Sequence, residues 1–327
     1  MTWLVWRQHR QQALAAVVAL LAVALFLVPT GRQMRAAFDD LGLGTCLRAT
    51  PQTELVTADT GCLPLSEEFS GRFQSLGLVS LLLLLFLPAL VGLFWGAPLV
   101  ARELEHGTHR LVWTQGATRL RWATVKLGLV GGGVALVAAA YTLLVGWWIA
   151  PLNDATGYRF TWLFFDQQGP VLVGYALFAL ALGVLTGTLT GKVLPAMAVT
   201  LGGFLATRVA VALLLRPRFL PPLRRAYPVV GATPTESNPL IGDWVISRGV
   251  YSAQGVKLTP GSGAQALCDQ TAAARCIAEY GVGAYNQDLF QPADRFWLFQ
   301  GIETALFVAL AVVLVLVAIH LIRRRTA

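Results

Sequence analysis

The sequence contains few charged residues. Only 13% of its 327 residues are Asp, Glu, Lys or Arg, whereas 56% are hydrophobic. Soluble domains carry about 25% charged residues, so this composition, with a mean hydropathy of +0.62, excludes a soluble protein and indicates a membrane protein. The formal net charge of +8 does not indicate nucleic-acid binding, because the basic residues lie in short clusters beside apolar runs, as they do at cytoplasmic membrane edges.

Motifs for nucleotide binding and hydrolysis are missing as well. The sequence contains no H-E-x-x-H or G-x-S-x-G motif and no paired carboxylates within an apolar run. GTLTGKV at 187–193 resembles a phosphate-binding loop only superficially, because three residues separate its glycines instead of four and Val193 replaces Ser or Thr. We therefore predict no catalytic residue, metal site or cofactor in this chain, which is not an enzyme by itself.

Cysteine is rare, and the apolar runs have none. The four cysteines lie in two more polar stretches, at 30–75 and 216–297, and neither stretch contains histidine. An even number of cysteines in such stretches predicts disulfides formed in an oxidising compartment, with pairing inside each stretch as the simplest of three connectivities. Their spacing does not fit a zinc site. The disulfide candidates are Cys46, Cys62, Cys268 and Cys276.

Long apolar runs are abundant. A membrane-spanning helix needs about 20 predominantly apolar residues, and six segments meet this requirement. They lie at about 13–29, 76–98, 125–149, 170–191, 194–215 and 298–320. The first is predicted to be a retained span and not a signal peptide, because FLVPTGRQM at its end lacks a small-residue cleavage site. The predicted fold class is an all-α polytopic membrane protein with six transmembrane helices.

The distribution of Lys and Arg predicts the orientation. With both termini in the cytoplasm, the short cytoplasmic pieces are rich in Lys and Arg and contain only two acids, Glu103 and Glu105. This is the asymmetry expected of a plasma-membrane protein. The basic sequence RPRFLPPLRR at 216–225 is the exception, since it falls on the exterior side, where all four cysteines also lie.

The order of segments predicts three parts. Residues 1–215 hold five spans, an extracellular loop at 30–75 and a cytoplasmic loop at 99–124. Residues 216–297 form an extracellular cap segment, which is too short to be trusted as an independent domain without support from its disulfide and the membrane. Residues 298–327 hold the sixth span and a cytoplasmic tail.

The N-terminal residues 1–12 combine indole rings and arginines. This mixture is typical of a short amphipathic helix at the inner membrane interface, and the alternative is that these residues are simply the cytoplasmic start of the first span. The residues concerned are Trp3, Trp6, Arg7 and Arg10.

Small and ionisable residues inside the spans indicate helix packing. Glycines at intervals of four give a smooth helix face that allows close approach; these are Gly183, Gly187 and Gly191, with Gly92 and Gly96 on the second span. Arg208 and Glu303 lie within spans, and they either pair with each other or each extend toward the outer surface. Ionisable groups are otherwise too scarce in the spans for a secondary transporter.

The segment 99–122, LVARELEHGTHRLVWTQGATRLRW, is a polar interruption between two apolar runs. It continues the second span as a helix, Gly107 predicts a break, and Thr108 is placed to cap the next segment. Trp beside Arg is typical of protein interfaces, which favours a docking segment. An ordinary loop whose arginines set the topology is the alternative.

This segment resembles the cytoplasmic loop of ABC-2-type transporter permeases, and the chain as a whole resembles the actinobacterial members. In that family an R-E-x-E-x-G-T stretch comes after the second span, and a coupling helix and a basic return come next. The matching residues are Arg102, Glu103, Glu105, Gly107 and Thr108, with Arg110, Trp113, Arg119 and Arg121 in the coupling part.

The resemblance implies an exporter subunit. Two permease subunits, expected to be a homodimer in the lipid bilayer, would each dock on a separate cytoplasmic ABC ATPase that binds ATP and Mg. The substrate would be hydrophobic or amphipathic, such as a drug, a peptide antibiotic or a lipid. A membrane sensor or interaction protein that binds a ligand or partner through its extracellular loops is the alternative function.

Overall fold

The computed structural model of the chain describes residues 2–49, 62–107, 118–232, 242–258, 266–268 and 271–324. Among these residues, six helices are long and apolar enough to cross a membrane, which confirms the predicted helical membrane fold and the number of spans. The six are Trp6–Asp40, Leu87–Glu105, Leu120–Thr156, Val171–Thr190, Val193–Arg218 and Ala293–Arg324.

The helices are numbered here in chain order. They are α1 (Thr2–Asp40), α2 (Leu43–Ala49), α3 (Cys62–Leu84), α4 (Leu87–Val91), α5 (Ala97–Glu105), α6 (Arg119–Thr156), α7 (Trp162–Phe165), α8 (Val171–Thr190), α9 (Val193–Ala210), α10 (Ala273–Tyr280) and α11 (Phe296–Arg324). Two π-helical turns interrupt this set, Gly92–Gly96 between α4 and α5, and Val211–Leu215 at the end of α9.

Helix α1 runs without a break from Thr2 to Asp40. The separate interfacial helix predicted at 1–12 is therefore wrong for the described residues, which form the first turns of the first span, as in the alternative interpretation. At 1.5 Å per residue, its 39 residues extend about 58 Å, whereas the hydrocarbon core is about 30 Å thick. Helix α1 and the similarly long α6, which pack along each other, therefore project beyond the membrane.

The second span differs from its prediction as one helix over 76–98. Helix α3 ends at Leu84, and a new helix starts at Leu87 with Pro88 in its first turn. Proline has no backbone N–H and is tolerated in a first turn, whereas inside a helix it removes a hydrogen bond. The break at Leu85–Phe86 results from this property, and the candidate span begins at Leu87.

Helix α8 is the centre of the bundle, because it packs against α5, α6, α9 and α11. Its candidate span is the most enclosed of the six, because 78% of an 18-residue stretch of it is buried inside the protein. A helix that is apolar all round is expected in such a position. The other five candidate spans are less enclosed, with 6% of the first and 44% of the second buried as the two extremes.

The segment 216–297 contains a three-stranded antiparallel sheet that the sequence analysis did not predict. Its strands are β1 (Leu223–Pro228), β2 (Trp244–Tyr251) and β3 (Tyr285–Gln291), in the order β1-β3-β2. The central strand β3 lacks the usual alternation of buried apolar and exposed polar residues, because its buried residues are Asn286, Asp288 and Gln291. Hydrophobic periodicity fails to detect a strand whose inward side chains are polar.

Both disulfides join neighbouring cysteines, which confirms the predicted local pairing. Cys46 of α2 is bonded to Cys62 at the start of α3, and Cys268 is bonded to Cys276 of α10. We call the end of the bundle that carries the sheet, both disulfides and residues 157–170 the sheet end. The other end, where α5 leads to α6 and α8 turns into α9, is the loop end.

Candidate functional site

At the loop end, α5 ends where the sequence predicted a break. Gly107 has φ +69°, a left-handed conformation that terminates a helix at little cost for glycine. The helix ends at Glu105, and Nδ1 of His106 lies 2.8 Å from the carbonyl oxygen of Arg102. The connection 106–118, which contains Gly107, then leads from α5 to α6.

Glu105 links α5 to the start of α9. Its Oε2 accepts a hydrogen bond of 2.9 Å from the backbone N–H of Val193, the first residue of α9. The first N–H groups of a helix have no partner within the helix, and the helix dipole favours a negative charge beside them. The carboxylate of one span therefore caps another span across the bundle.

Glu103, two residues earlier, links α5 to α6. Its Oε1 forms an ion pair with Nζ of Lys126 on α6, and this lysine also lies over the ring of Trp122, with its Nζ 5.2 Å from the ring centroid. Lys126 is buried although it is charged, and a buried charge needs such a partner. The two acids thus attach the end of α5 to two different spans.

The remaining residues of the predicted coupling segment fall into two groups. Thr108, Arg110 and Trp113 lie outside the described residues. Arg119 is the first residue of α6. Thr118 caps α6, because its hydroxyl accepts a hydrogen bond of 3.3 Å from the backbone N–H of Arg121.

Arg102, by contrast, is exposed on α5. The four N-terminal residues Trp3, Trp6, Arg7 and Arg10 are exposed on the first turns of α1, where the guanidinium of Arg7 lies 5.3 Å from the centroid of the Trp3 ring.

The structure brings four of the five selected glycines together. A Cβ atom on Gly183 would lie 2.5 Å from the backbone nitrogen of Ala97 and 2.6 Å from the carbonyl oxygen of Gly92. A Cβ atom on Gly96 or on Gly187 would come similarly close to the backbone of the opposing helix. Helix α8 therefore meets the second span backbone to backbone. Gly191 has another role, since its φ of +65° ends α8.

At the sheet end, the two ionisable residues singled out from the sequence have other partners than each other. Arg208 forms an ion pair with Asp166, and Glu303 accepts a hydrogen bond of 2.7 Å from Nε of Arg216. A direct Arg208–Glu303 pair is therefore wrong, and so is an outward extension of Glu303, whose side chain is buried. Burial of a carboxylate requires a charged partner, and for Glu303 this partner is Arg216 and not Arg208.

These four residues form one cluster with Tyr175 of α8. The Tyr175 hydroxyl lies 2.5 Å from Oε1 of Glu303 and 3.0 Å from Oδ1 of Asp166. Nη2 of Arg216 donates to Oδ1 of Asp166 at 2.7 Å and to Oε1 of Glu303 at 2.8 Å. Two carboxylates and two guanidinium groups balance in charge, which makes their burial in the bundle tolerable.

Residues 162–170, which we call the plug, fold into the sheet end of the bundle. Tyr141 of α6 lies 3.0 Å from Oε1 of Gln167, and Thr142 donates to the carbonyl oxygen of Gly169 at 2.7 Å. From α11, Nε2 of Gln300 donates to the carbonyl oxygen of Phe165 at 2.8 Å. The plug is therefore bound on both sides and fills the space between α6, α8 and α11.

Asp166, Tyr175 and Arg216 were not predicted as site residues from the sequence. A signal for Asp166 was present, because FTWLFFDQQGP places a carboxylate and two amides directly after an aromatic run. Polar side chains next to such a run require partners when the run is buried. Arg216 had been assigned only to the basic stretch at 216–225.

A second buried charge cluster lies in the sheet. Asp288 on β3 is 3.4 Å from Nε of Arg248 on β2 and 3.9 Å from Nη2 of Arg225 on β1. Burial raises the pKa of the Asp288 carboxyl, although both arginines oppose this rise. Burial likewise raises the pKa of Tyr227 to about 12. Among the described residues, no group of three His, Cys, Asp or Glu side chains could hold a metal ion.

Comparison with known proteins gives one match. The model of the family described as ABC-2 membrane transporter related matches residues 17–216, which is more than half of the chain and extends from within the first span to near the end of the fifth. No curated protein and no solved structure matches. Because this match covers more than half of the chain and six helices could cross a membrane, the chain belongs to the ABC-2 membrane transporter related family and is a multi-pass membrane component of a transporter.

Proposed function

We propose that this chain is the membrane subunit of an ATP-driven exporter, with a separate ATPase docked on the connection 106–118. The observation that carries the proposal is the attachment of α5 to both α6 and α9, through the Glu103–Lys126 ion pair and the Glu105–Val193 hydrogen bond. A protein that binds the connection and shifts α5 displaces two spans at once. ATP and Mg bind to the partner, in agreement with the lack of a nucleotide motif in this sequence.

The proposed direction is from the loop end to the sheet end. The loop end carries the basic residues expected on the cytoplasmic side, and the sheet end carries the two disulfides expected in an oxidising compartment. Both termini lie in the cytoplasm in this orientation, and the sheet is the extracellular cap.

The proposed substrate is hydrophobic or amphipathic. The buried ions at the sheet end are paired with each other, so they offer no uncompensated charge to a polar solute. The exposed faces of the spans are apolar, and a molecule that enters from the bilayer meets these faces first.

We propose that a second copy of the chain packs on α9. Small residues recur there at intervals of four on the exposed face, and a Cβ atom on Gly202 would have no neighbour within 4 Å. Small residues at this spacing allow two membrane helices to approach closely. The residues of this face are Ala198, Gly202, Ala206 and Ala210. Replacing Gly202 with Leu is expected to shift the purified subunit from dimer to monomer in native mass spectrometry.

Co-purification tests the central proposal. The tagged chain is expressed in its native host, the complex is isolated in mild detergent, and its subunits are identified by mass spectrometry. We expect an ABC ATPase in the complex, and ATP-dependent accumulation of a lipophilic fluorescent dye in inverted vesicles. Recovery of an extracellular ligand or partner without any ATPase would instead support the sensor function.

A further inference from the structure

Arg216 holds the plug and α11 at the same time. Its Nη2 donates to Asp166 of the plug at 2.7 Å, and its Nε donates to Glu303 of α11 at 2.7 Å. Its guanidinium carbon also lies 4.0 Å from the centroid of the Phe165 ring, which belongs to the plug. Arg208, in contrast, pairs with Asp166 alone and lies over the Tyr175 ring at 4.0 Å.

A π-helical turn immediately precedes Arg216. Val211–Leu215 closes with i→i+5 hydrogen bonds, and Arg216 is the residue that caps it. A turn of this kind holds one residue more than an α-helical turn. Its conversion to α-helix would carry the next residue about 100° around the helix axis. Arg216 would then leave Asp166 and Glu303, whereas Arg208, which precedes the turn, would keep its bond to Asp166.

The surroundings of the π turn leave room for this rotation. Leu213, Leu214 and Leu215 are exposed on the apolar surface of the bundle, and Val211 is the buried residue of the turn. A rotation therefore moves leucine side chains through lipid, where one position is nearly equivalent to another. The rotation breaks the polar bonds of Arg216, and it also displaces Phe219, whose ring centroid lies 5.8 Å from that of Phe299 on α11.

We propose that the plug is a gate at the sheet end, that Arg216 is its latch, and that conversion of the π turn Val211–Leu215 into α-helix releases it. In the released state Arg208 still neutralises Asp166, whereas Glu303 keeps only the hydrogen bond of the Tyr175 hydroxyl, and the water admitted by the opened plug must replace Arg216 as its partner. The inference rests on the proposed export function, because that function gives a reason for the plug to open: the opened plug gives the substrate its path out of the bundle.

The same rotation reaches the extracellular cap. The chain continues from Arg216 into β1. Between them, the backbone carbonyl groups of two residues accept hydrogen bonds from side chains that lie close before α11 in the chain. Leu220 accepts a hydrogen bond of 2.8 Å from Nε2 of Gln291, and Pro221 accepts one of 2.9 Å from Nη1 of Arg295. Release of Arg216 therefore strains the attachment of the sheet to the bundle, so the cap is expected to move with the plug.

Accessibility of the plug tests the latch. All four native cysteines are in disulfides, so Gln167→Cys, at a position that is 1% exposed, introduces a single free thiol. The probe is a membrane-impermeant maleimide added to the chain in lipid nanodiscs. Trp162→Cys, at an exposed position of the plug, is the control for reagent quality and is expected to react fast in every state.

Two variants are expected to act in opposite directions. Arg216→Met combined with Glu303→Gln removes one positive and one negative charge together, so no buried charge is left alone. In this double variant we expect labelling of Gln167→Cys to accelerate about tenfold or more. The reason is that the rate of reaction at a buried site depends on the population of its open form. Deletion of Leu213 removes the extra residue of the π turn and leaves Arg216 in place. We expect this deletion to keep labelling slow and to abolish dye transport.

The outcomes separate the latch from the export function. The labelling of the double variant needs no ATPase, so it reports on the latch even if the chain exports nothing. Unchanged labelling in the double variant, or normal transport and ATP-dependent labelling after deletion of Leu213, would overturn the latch and leave the export proposal standing. Accelerated labelling in the double variant without any ATP-dependent dye transport by the native complex would contradict the export proposal alone. Monodisperse elution of each variant confirms that it folds.

Discussion

Glu105 on α5 caps α9 from across the bundle, with its Oε2 2.9 Å from the backbone nitrogen of Val193. The contact joins residues 88 positions apart in the chain and connects the segment after the second span to the turn between α8 and α9. Under the proposed coupling, this contact is the point where force applied to the connection 106–118 would enter a second span.

Replacement of Glu105 with Ala is expected to weaken transport more than stability. The lost hydrogen bond removes a cap, which is worth about 1 kcal/mol, so thermal unfolding in detergent should shift only slightly. ATPase stimulation by the permease should fall strongly, because α5 no longer acts on α9. Glu105→Gln keeps a side-chain acceptor and should restore part of the stimulation. Glu67→Gln, at an exposed position of α3, is the matched control. An equal loss of ATPase stimulation in this control would contradict the coupling role of Glu105.

Gly183 is expected to tolerate no Cβ atom. Alanine at this position would place its Cβ 2.5 Å from the nitrogen of Ala97, so the helices must separate, at a cost of about 1–3 kcal/mol. Gly132→Ala on α6 is the control, because a Cβ there has no neighbour within 4 Å. Thermal unfolding of the two variants in the same detergent makes the comparison. Equal melting temperatures would show that the backbone contact between α8 and the second span does not matter for stability.

The disulfide between Cys46 and Cys62 is expected to stabilise helices α2 and α3. It closes a separation of 16 residues, for which the entropy of the unfolded chain predicts about 3 kcal/mol. Replacing both cysteines with Ser should lower the melting temperature more than the same change at Cys268 and Cys276, which are only 8 residues apart. Mass spectrometry after alkylation should find labelled cysteine only in reduced samples. Labelling without reductant would disprove the pairing.

Asp288 is expected to make the stability of the cap depend on pH. Burial raises the pKa of its carboxyl above the ordinary value of 3.8, so the folded state binds the proton more tightly than the unfolded state. Its contribution is complete below pH 3.8 and is lost as the pH rises through the folded-state pKa. Asp288→Asn cannot titrate and should flatten this part of the profile. Thermal unfolding of the native chain and of this variant across acidic pH measures the difference, and parallel profiles of the two proteins would refute the assignment.

Local pattern explains the parts of the candidate site that were predictable. Gly107 ends α5 because a glycine after a helical run favours a left-handed residue, and this preference depends only on neighbouring residues. The intervals of four between Gly183 and Gly187 identify a smooth helix face without knowledge of its partner. The pattern did not show that Gly191 would end α8, or that the face opposite would be Gly92 and Gly96.

The sequence alone determined that this is a helical membrane protein with six spans and no nucleotide motif of its own, and it favoured local disulfides among three possible connectivities. The length of apolar runs and the absence of motifs are properties of short stretches, and each has one dominant physical consequence. The tertiary structure decided the partners of the buried charges. Arg216 and Glu303 are 87 residues apart, and Arg208 and Asp166 are 42 apart. Which cation reaches which carboxylate depends on how helices pack and where a π turn places a side chain, and no local pattern encodes either.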